Sequence, residues 1–171
     1  ILPAYMLRPG DEVGNYRVLE QIGEGGMGVI YLAEHPTIGK RVALKVVHAE
    51  LCEHAEVIDR FVTEARVVNA IGHRHIVDIF DFGRTADGQP YFTMEMLKGE
   101  SLAKRLERGP LPTLTAVAVA RQVASALAAA HAAGVVHRDL KPDNLFLTED
   151  RGSDPFVKVL DFGIAKLVDS D

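Results

Sequence analysis

The residues best suited to chemistry lie in one run, HRDLKPDN, which extends from His137 to Asn144, and a second acid, Asp161, follows Asn144 by seventeen residues. The run places an acid at Asp139, a cation at Lys141 and an amide at its end. Two carboxylates, an amide oxygen and a lysine are what magnesium ions, a triphosphate and an attacking hydroxyl group require. A carboxylate at the end of an apolar strand, such as Asp161, is costly to bury unless a cation neutralises it. The pattern predicts phosphoryl transfer.

A glycine cluster with the spacing G-x-G-x-x-G extends from Gly23 to Gly28. Taken alone, this spacing fits a dinucleotide-binding turn, a phosphate-covering hairpin or a plain structural turn. In a dinucleotide-binding fold the glycines open a helix, whereas the run that follows here, Val29 to Leu32, is β-branched and aromatic and predicts a returning strand. A Walker loop is excluded, because no Gly-Lys-Ser/Thr follows. Phosphate binding and a structural turn both stay open at this point.

A lysine and a glutamate have the right positions to form an ion pair. Lys45 ends the apolar run Val42-Ala43-Leu44-Lys45, so that it shares a strand face with Ala43. Glu64 lies beside the apolar stripe of a predicted amphipathic helix. The alternative for each residue is an ordinary solvated surface position.

The elements that must position these residues change in character near the middle of the chain. The first part alternates short β-type runs with one amphipathic helix, and the later part is mainly helical. Ser101 is a candidate N-cap, and Gly109 is a candidate stop for a short helix. The predicted strands are 16–22, 29–33, 41–47, 76–82, 90–96, 145–147 and 156–160, and the predicted helices are 56–71, one from 101 to 109 and one over about 113–133. We predict a tail over residues 1–12, a first unit over 13–97 and a second over 98–171.

Composition excludes several classes of protein. The chain has 171 residues, 47% of them hydrophobic, with a net charge of −5 and no basic run, which argues against nucleic-acid binding. Cys52 is the only cysteine, so no intramolecular disulfide can form. Arg121 and His131 interrupt the most apolar stretch, from which we predict no membrane segment. We expect a cytoplasmic location, although a longer protein could be membrane-anchored.

Taken together and in this order, the motifs resemble those of the protein kinase family, most closely the bacterial serine/threonine kinases of eukaryotic type, from about Tyr16 to Lys166. The resemblance implies an α+β, protein-kinase-like bilobal fold. It would have a five-stranded antiparallel N-lobe with one helix, followed by the first part of a mainly helical C-lobe. The sequence ends eight residues past Gly163 of Asp161-Phe162-Gly163. We therefore expect a catalytic domain that is truncated after this motif.

The resemblance also implies roles for individual residues, with ATP and Mg²⁺, or alternatively Mn²⁺, as cofactors. Lys45 would hold the α- and β-phosphates and pair with Glu64. Asp139 would be the catalytic base, and Lys141 would neutralise the γ-phosphate. The metal would be held by Asn144 and Asp161.

The nucleotide would contact the glycine-rich hairpin, an adenine pocket with a methionine gatekeeper, and the backbone of a hinge. The residues implied are Ile22, Gly23, Glu24, Gly25, Gly26, Gly28, Ile30, Ala43, Lys45, Met94, Glu95, Leu97 and Phe146. The function implied is transfer of the γ-phosphoryl group of Mg-ATP to serine or threonine hydroxyl groups of proteins in signal transduction. The alternative is a catalytically incompetent ATP-binding fragment or a pseudokinase-like scaffold, and we expect the chain alone to be inactive.

Overall fold

The computed structural model describes residues 6–148 and 155–162. The chain divides into two compact units, of which the first comprises residues up to Ala65 together with Ile79–Met96. The second comprises Arg66–Asp78 and the chain from Leu97 onward. The predicted boundaries at 12 and 97 stay a prediction. Residues 1–5 of the predicted tail, and the parts of the predicted second unit at 149–154 and from Gly163 onward, lie outside the described residues.

The first unit contains an antiparallel sheet, whose strands are rich in β-branched and aromatic residues and are punctuated by glycine turns. Within the described residues its strands are β1 (Glu12–Val13), β2 (Tyr16–Glu24), β3 (Gly28–Glu34), β4 (Arg41–Val47), β5 (Ile79–Arg84) and β6 (Pro90–Glu95). Their order in the sheet is β1-β2-β3-β4-β6-β5. β4 therefore lies in the interior of the sheet, which explains why its residues from Val42 to Val47 are all buried.

One face of this sheet carries a hydrophobic core. Alternation along β3 and β4 sends Val29, Tyr31, Val42, Leu44 and Val46 to the same side, where they form a buried cluster. The remaining side chains of β3 and β4 lie on the opposite face of the sheet.

A long amphipathic helix, α1 (Ala55–Ile71), confirms the helix predicted over 56–71. Its Phe61 is fully buried and stacks on Phe92 of β6, with the ring centroids 4.7 Å apart. The helix is followed by Gly72, whose backbone has a φ of 54°, a left-handed conformation that glycine adopts without strain. The first part of α1 thereby belongs to the core of the first unit.

The second unit combines helices with a small antiparallel sheet in the order β7-β8-β9. Its strands and helices within the described residues are β7 (Gly99–Ser101), α2 (Leu102–Leu106), α3 (Thr113–Ala132), β8 (Leu145–Thr148) and β9 (Phe156–Val159). A 3-10 turn at Pro142–Asn144 also belongs to this unit, and another 3-10 turn, at Ala49–Leu51, belongs to the first. The Ser101 side chain accepts a hydrogen bond from the Lys104 amide, which confirms the predicted N-cap.

The helix α3 packs against β9 through both apolar and polar contacts. Val119, Val123 and Ala126 are buried, and the amide side chain of Gln122 exchanges two hydrogen bonds with the backbone at Pro155 and Val157. By length and composition alone, α3 could also cross a membrane. Of the residues in its most apolar window, 22% are buried within the protein. The predicted absence of a membrane segment stays a prediction.

Two features of the sheets differ from the prediction. The strand predicted over 76–82 begins at Ile79, and Ile76 instead forms an isolated parallel bridge to Val159 in the second unit. The strands β1 and β7, of two and three residues, were not predicted. The described part of the first sheet therefore contains six strands, because a two-residue strand adds to the five expected.

Candidate functional site

The glycine cluster joins two strands of one hairpin. Strands β2 and β3 pair antiparallel up to Glu24 and Val29, and the Gly25 amide donates to the Gly28 carbonyl over 2.9 Å. The glycines therefore do not open a helix, and the dinucleotide-binding alternative is excluded.

The glycines of this hairpin serve different purposes. A Cβ atom at Gly28 would lie 2.0 Å from the carbonyl oxygen of Val46, so packing against β4 requires a glycine there. A Cβ atom at Gly25 or Gly26 would meet nothing within 4 Å. Packing within the described chain therefore does not explain these two glycines, whereas a ligand that approaches their backbone closely would.

One face of the first sheet brings together several of the predicted nucleotide-binding residues. Ile30 is paired directly with Lys45, and Ala43 is paired directly with Met94. Directly opposed residues of antiparallel strands lie on the same face, and Ala43 and Lys45 are two positions apart on β4. These four side chains consequently share the face opposite the hydrophobic core.

Lys45 and Glu64 form a buried ion pair. The Lys45 Nζ atom lies 3.9 Å from Glu64 Oε1, and each side chain is only 9% exposed. Removing a charge from water is expensive, and a buried charge persists only with partners. The predicted ion pair between Lys45 of β4 and Glu64 of α1 is therefore present in the structure.

The other residues predicted to contact the nucleotide lie in separate places along the chain. Glu95 is the last residue of β6, and Leu97 follows it in the segment before β7. Phe146 is half-buried on β8, where it pairs with Lys158 of β9. Ile22, Gly23 and Glu24 lie in the last part of β2.

The loop that precedes β8 in the second unit gathers an acid, a cation and an amide. Lys141 Nζ lies 3.2 Å from Asp139 Oδ2. Asn144 is buried, and its Nδ2 atom donates to the Asp139 carbonyl at 2.9 Å and to the Asp139 carboxylate at 3.2 Å. Since a backbone carbonyl oxygen can only accept, this geometry fixes the orientation of the amide. The Oδ1 atom of Asn144 is therefore the amide atom that can coordinate a cation.

Leu160, the residue that precedes Asp161, is fixed to this loop through both of its backbone polar groups. The Leu160 amide donates to the Asn144 carbonyl at 2.8 Å, and the Leu160 carbonyl lies 3.0 Å from His137 Nε2. A carbonyl oxygen can only accept, so His137 donates through Nε2. The structure therefore connects the two predicted metal-binding residues, Asn144 and Asp161, through the backbone.

His137 packs its ring in the interior and also donates a hydrogen bond to the backbone before Asp161. Its ring is buried against Phe162, with centroids 4.6 Å apart, and burial lowers the pKa of His137 below its usual value. A neutral imidazole with its proton on Nε2 suits the hydrogen bond to the Leu160 carbonyl. His137 is a positioning residue for Asp161.

The backbone of this site is strained at two residues. Arg138, which precedes Asp139, has a φ of 62°, and Asp161 itself has a φ of 43°. Non-glycine residues in the left-handed region cost about 1–2 kcal/mol each. Such strain persists where the surrounding structure fixes the backbone, as the two hydrogen bonds to Leu160 do before Asp161.

The donor set fits a magnesium ion that a nucleotide helps to bind. Among residues 6–148 and 155–162, no group of three or more His, Cys, Asp or Glu side chains forms a self-contained metal site. Magnesium is commonly bound through one or two carboxylates together with the phosphates of a substrate. Asp161 and the Asn144 amide oxygen are suitable protein ligands for such an ion.

Two contributors to the site carried no signal in the sequence. Gln122 anchors β9, the strand that leads to Asp161, through the contacts described above. His48 follows β4, and its ring contacts the glycine-rich hairpin. A lone glutamine or histidine fits many roles, so only the tertiary contacts reveal these two.

Comparisons with known proteins agree with one another. The family model described as "Protein kinase domain" matches residues 16–171. The serine/threonine-protein kinase Pkn1 of Myxococcus xanthus is 53% identical over 161 residues, and the match covers 94% of this chain and 23% of Pkn1. The serine/threonine-protein kinase PknE of Mycobacterium tuberculosis is 43% identical over 159 residues, which cover 92% of this chain and 27% of PknE.

A solved structure extends these similarities to the fold. The crystal structure of the PknI kinase domain of M. tuberculosis superposes with a TM-score of 0.78 at 34% identity, covering 94% of this chain and 63% of that one. The chain thus spans less than a third of the two curated relatives and less than two thirds of the solved kinase domain.

Proposed function

Because this chain belongs to the protein kinase family, we propose that it is the ATP-binding and catalytic-loop part of a serine/threonine kinase that phosphorylates proteins. The observation that carries the proposal is the cluster of Asp139, Lys141 and Asn144, with its backbone connection to Asp161. Mg-ATP, when bound, supplies the γ-phosphoryl group and the metal that neutralises its charge.

The first unit contributes groups that bind the nucleotide. The backbone of Gly25 and Gly26 has the open space that a phosphate needs, and Lys45 supplies a cation held in place by Glu64. Ala43 and Met94 offer apolar surface on the same sheet face, which suits the base of a nucleotide.

The second unit contributes the groups that act on the substrate hydroxyl. Asp139 accepts or orients the hydroxyl proton. Asn144 holds Asp139 through one hydrogen bond to its backbone carbonyl and one to its carboxylate. Lys141 is half exposed at 3.2 Å from that carboxylate, where a cation can neutralise charge that develops during transfer. Asp161 and Asn144 provide oxygen atoms for magnesium.

The choice of serine and threonine as acceptors rests on the relatives. Pkn1 and PknE are both named serine/threonine-protein kinases, and the Lys141-Pro142 pair after Asp139-Leu140 resembles that class. The proposed partners are therefore proteins with accessible serine or threonine hydroxyl groups.

Nucleotide binding is tested by thermal unfolding of the chain with and without Mg-ATP. A ligand at one hundred times its dissociation constant adds about 2.7 kcal/mol, which raises Tm by roughly 5–10 °C for a chain of this size. We expect Lys45→Met to remove the shift and Lys104→Met, at an exposed lysine of α2, to retain it. A chain whose Tm does not respond to Mg-ATP contradicts the proposal.

Phosphoryl transfer is tested in a chimera in which this chain replaces the matching region of the PknI kinase domain. The substrate is a pool of serine- and threonine-containing peptides, with transfer from radiolabelled ATP as the readout. We expect Asp139→Asn to abolish transfer while Mg-ATP binding persists, and Asp87→Asn, in an exposed turn, to leave both intact. Binding without transfer in the unsubstituted chimera would favour the ATP-binding scaffold.

A further inference from the structure

His48 lies directly after β4 and contacts the glycine-rich hairpin at three points. Its Nε2 atom is 2.8 Å from the carbonyl oxygen of Gly25, and its backbone amide donates to the Met27 carbonyl at 3.0 Å. The same Nε2 atom lies 3.9 Å from Glu24 Oε1. One residue therefore holds the backbone on both sides of Gly26.

The ring hydrogen bond has a defined direction. The Gly25 carbonyl can only accept, so His48 Nε2 carries a proton and donates it. A side chain with a donor at this position can replace the ring, whereas a methyl group cannot.

Little else in the described chain restrains this turn. Gly25 and Gly26 carry no side chain, and space around their Cα atoms is open, so packing does not hold them. The hydrogen bond from the Gly25 amide to the Gly28 carbonyl closes the turn locally. The contacts of His48 tie it to the segment that follows β4.

The backbone of His48 is itself fixed. Its amide is engaged by Met27, and its carbonyl accepts from the Leu51 amide at 3.0 Å within the 3-10 turn. The Cys52 thiol donates to the same carbonyl at 3.4 Å. The ring is thus presented from a fixed segment three residues after Lys45, so β4 positions the lysine and the turn that follows β4 positions the hairpin.

We propose that His48 is a positioning residue for phosphate binding, which holds the Gly25–Met27 backbone where it contacts the phosphates of the nucleotide. The inference rests on the proposed function, because it assumes that the hairpin covers phosphates. It assigns His48 no contact with the nucleotide.

The test compares two ligands that differ in their phosphates, Mg-ATP and adenosine, by calorimetric titration of the 171-residue chain. Loss of one neutral hydrogen bond corresponds to a weakening of about threefold to tenfold. We expect His48→Ala to weaken Mg-ATP binding by that factor and to leave adenosine binding unchanged. His48→Gln, which keeps a donor, is expected to stay within about twofold of the unsubstituted chain. The matched control is His131→Ala, at an exposed histidine of α3.

Two results would overturn the proposal. Unchanged Mg-ATP affinity in His48→Ala would show that the ring does not position the hairpin for phosphates. Equal weakening of Mg-ATP and adenosine would assign His48 a general structural role.

Hydrogen exchange of the ligand-free chain separates failure of this inference from failure of the proposed function. We expect deuterium uptake over residues 23–29 to rise in His48→Ala but not in His48→Gln or His131→Ala. If the unsubstituted chain binds neither ligand, the proposed function fails. Faster exchange in His48→Ala alone then still supports the positioning of the hairpin, and unchanged exchange overturns it.

Discussion

The buried pair of Lys45 and Glu64 gives a quantitative test of the first unit. Its charged atoms lie 3.9 Å apart, and both side chains are 9% exposed. At an effective dielectric constant of about 20, two unit charges at this distance attract by about 4 kcal/mol. Removing one partner leaves a buried charge, for which a loss of about 3–5 kcal/mol is typical.

The assay is a double-mutant cycle with Lys45→Met and Glu64→Gln, followed by urea unfolding monitored by circular dichroism. We expect each single substitution to lower the free energy of unfolding by about 3–5 kcal/mol. The double variant is expected to lose less than the sum by about 2–4 kcal/mol, because neither charge is then left alone.

An exposed pair on the same sheet provides the control. Arg41 and Glu34 lie closer together, at 3.2 Å, but their side chains are 62% and 34% exposed. Their coupling in Arg41→Met and Glu34→Gln is expected to stay below about 1 kcal/mol and to decrease in 1 M salt. Additive losses in the buried pair, or coupling no larger than in the exposed pair, would refute the argument that burial strengthens the Lys45–Glu64 interaction.

Further predictions concern protonation, glycine packing and a helix cap. Burial lowers the pKa of both His75 and His137 below the usual value of 6.5. The unfolded chain therefore takes up protons first as the pH falls, so stability is fully present above about pH 6.5 and decreases below it, which denaturant titrations between pH 7.5 and 5 would measure. A stability that stays flat over this range contradicts the assignment. Gly28→Ala is expected to destabilise by more than about 1 kcal/mol because its Cβ atom would collide with backbone, whereas Gly25→Ala should leave Tm nearly unchanged and weaken Mg-ATP binding. Ser101→Ala should cost about 1 kcal/mol through the lost N-cap, measured by urea unfolding, and Ser101→Asp should retain most of it.

The sequence predicted the fold class and most elements. The α+β, protein-kinase-like fold is confirmed by the likeness to the PknI kinase domain. β4 was predicted over the residues that it occupies, because the run from Val42 to Val47 is apolar apart from Lys45 and follows the turn residue Gly39. α1 was recognisable from Phe61, Ala65 and Val68, which recur at helical spacing and are buried.

The elements that were missed depend on the strands they pair with, because their own residues show no clear pattern. Ile76 reads as the start of a strand because it is apolar, yet it forms a bridge with Val159. The Val159 amide also donates a hydrogen bond to the His75 carbonyl. β1 and β7 are too short for any periodicity to reveal them. Such segments become strands only because a neighbouring strand supplies hydrogen-bond partners.

In the candidate site, too, some features could be predicted from the sequence and others could not. Asp139, Lys141, Asn144 and Asp161 were predicted from residue type and spacing, and their proposed roles stay predictions. The hydrogen bonds of His137 and His48 could not be predicted, because each is made to a backbone carbonyl, which every residue carries. A residue that recognises backbone leaves no complementary side chain in the sequence.

The left-handed backbone at Arg138 and Asp161 matters to anyone who redesigns this chain. A procedure that ranks substitutions by conformational energy would favour glycine at both positions, since glycine adopts these φ values freely. It would thereby remove Asp161, a proposed magnesium ligand, and Arg138, the residue next to the proposed base Asp139. Within the described part of the chain, these two non-glycine residues with positive φ are thus the ones that an engineer seeking a more stable protein should hold constant.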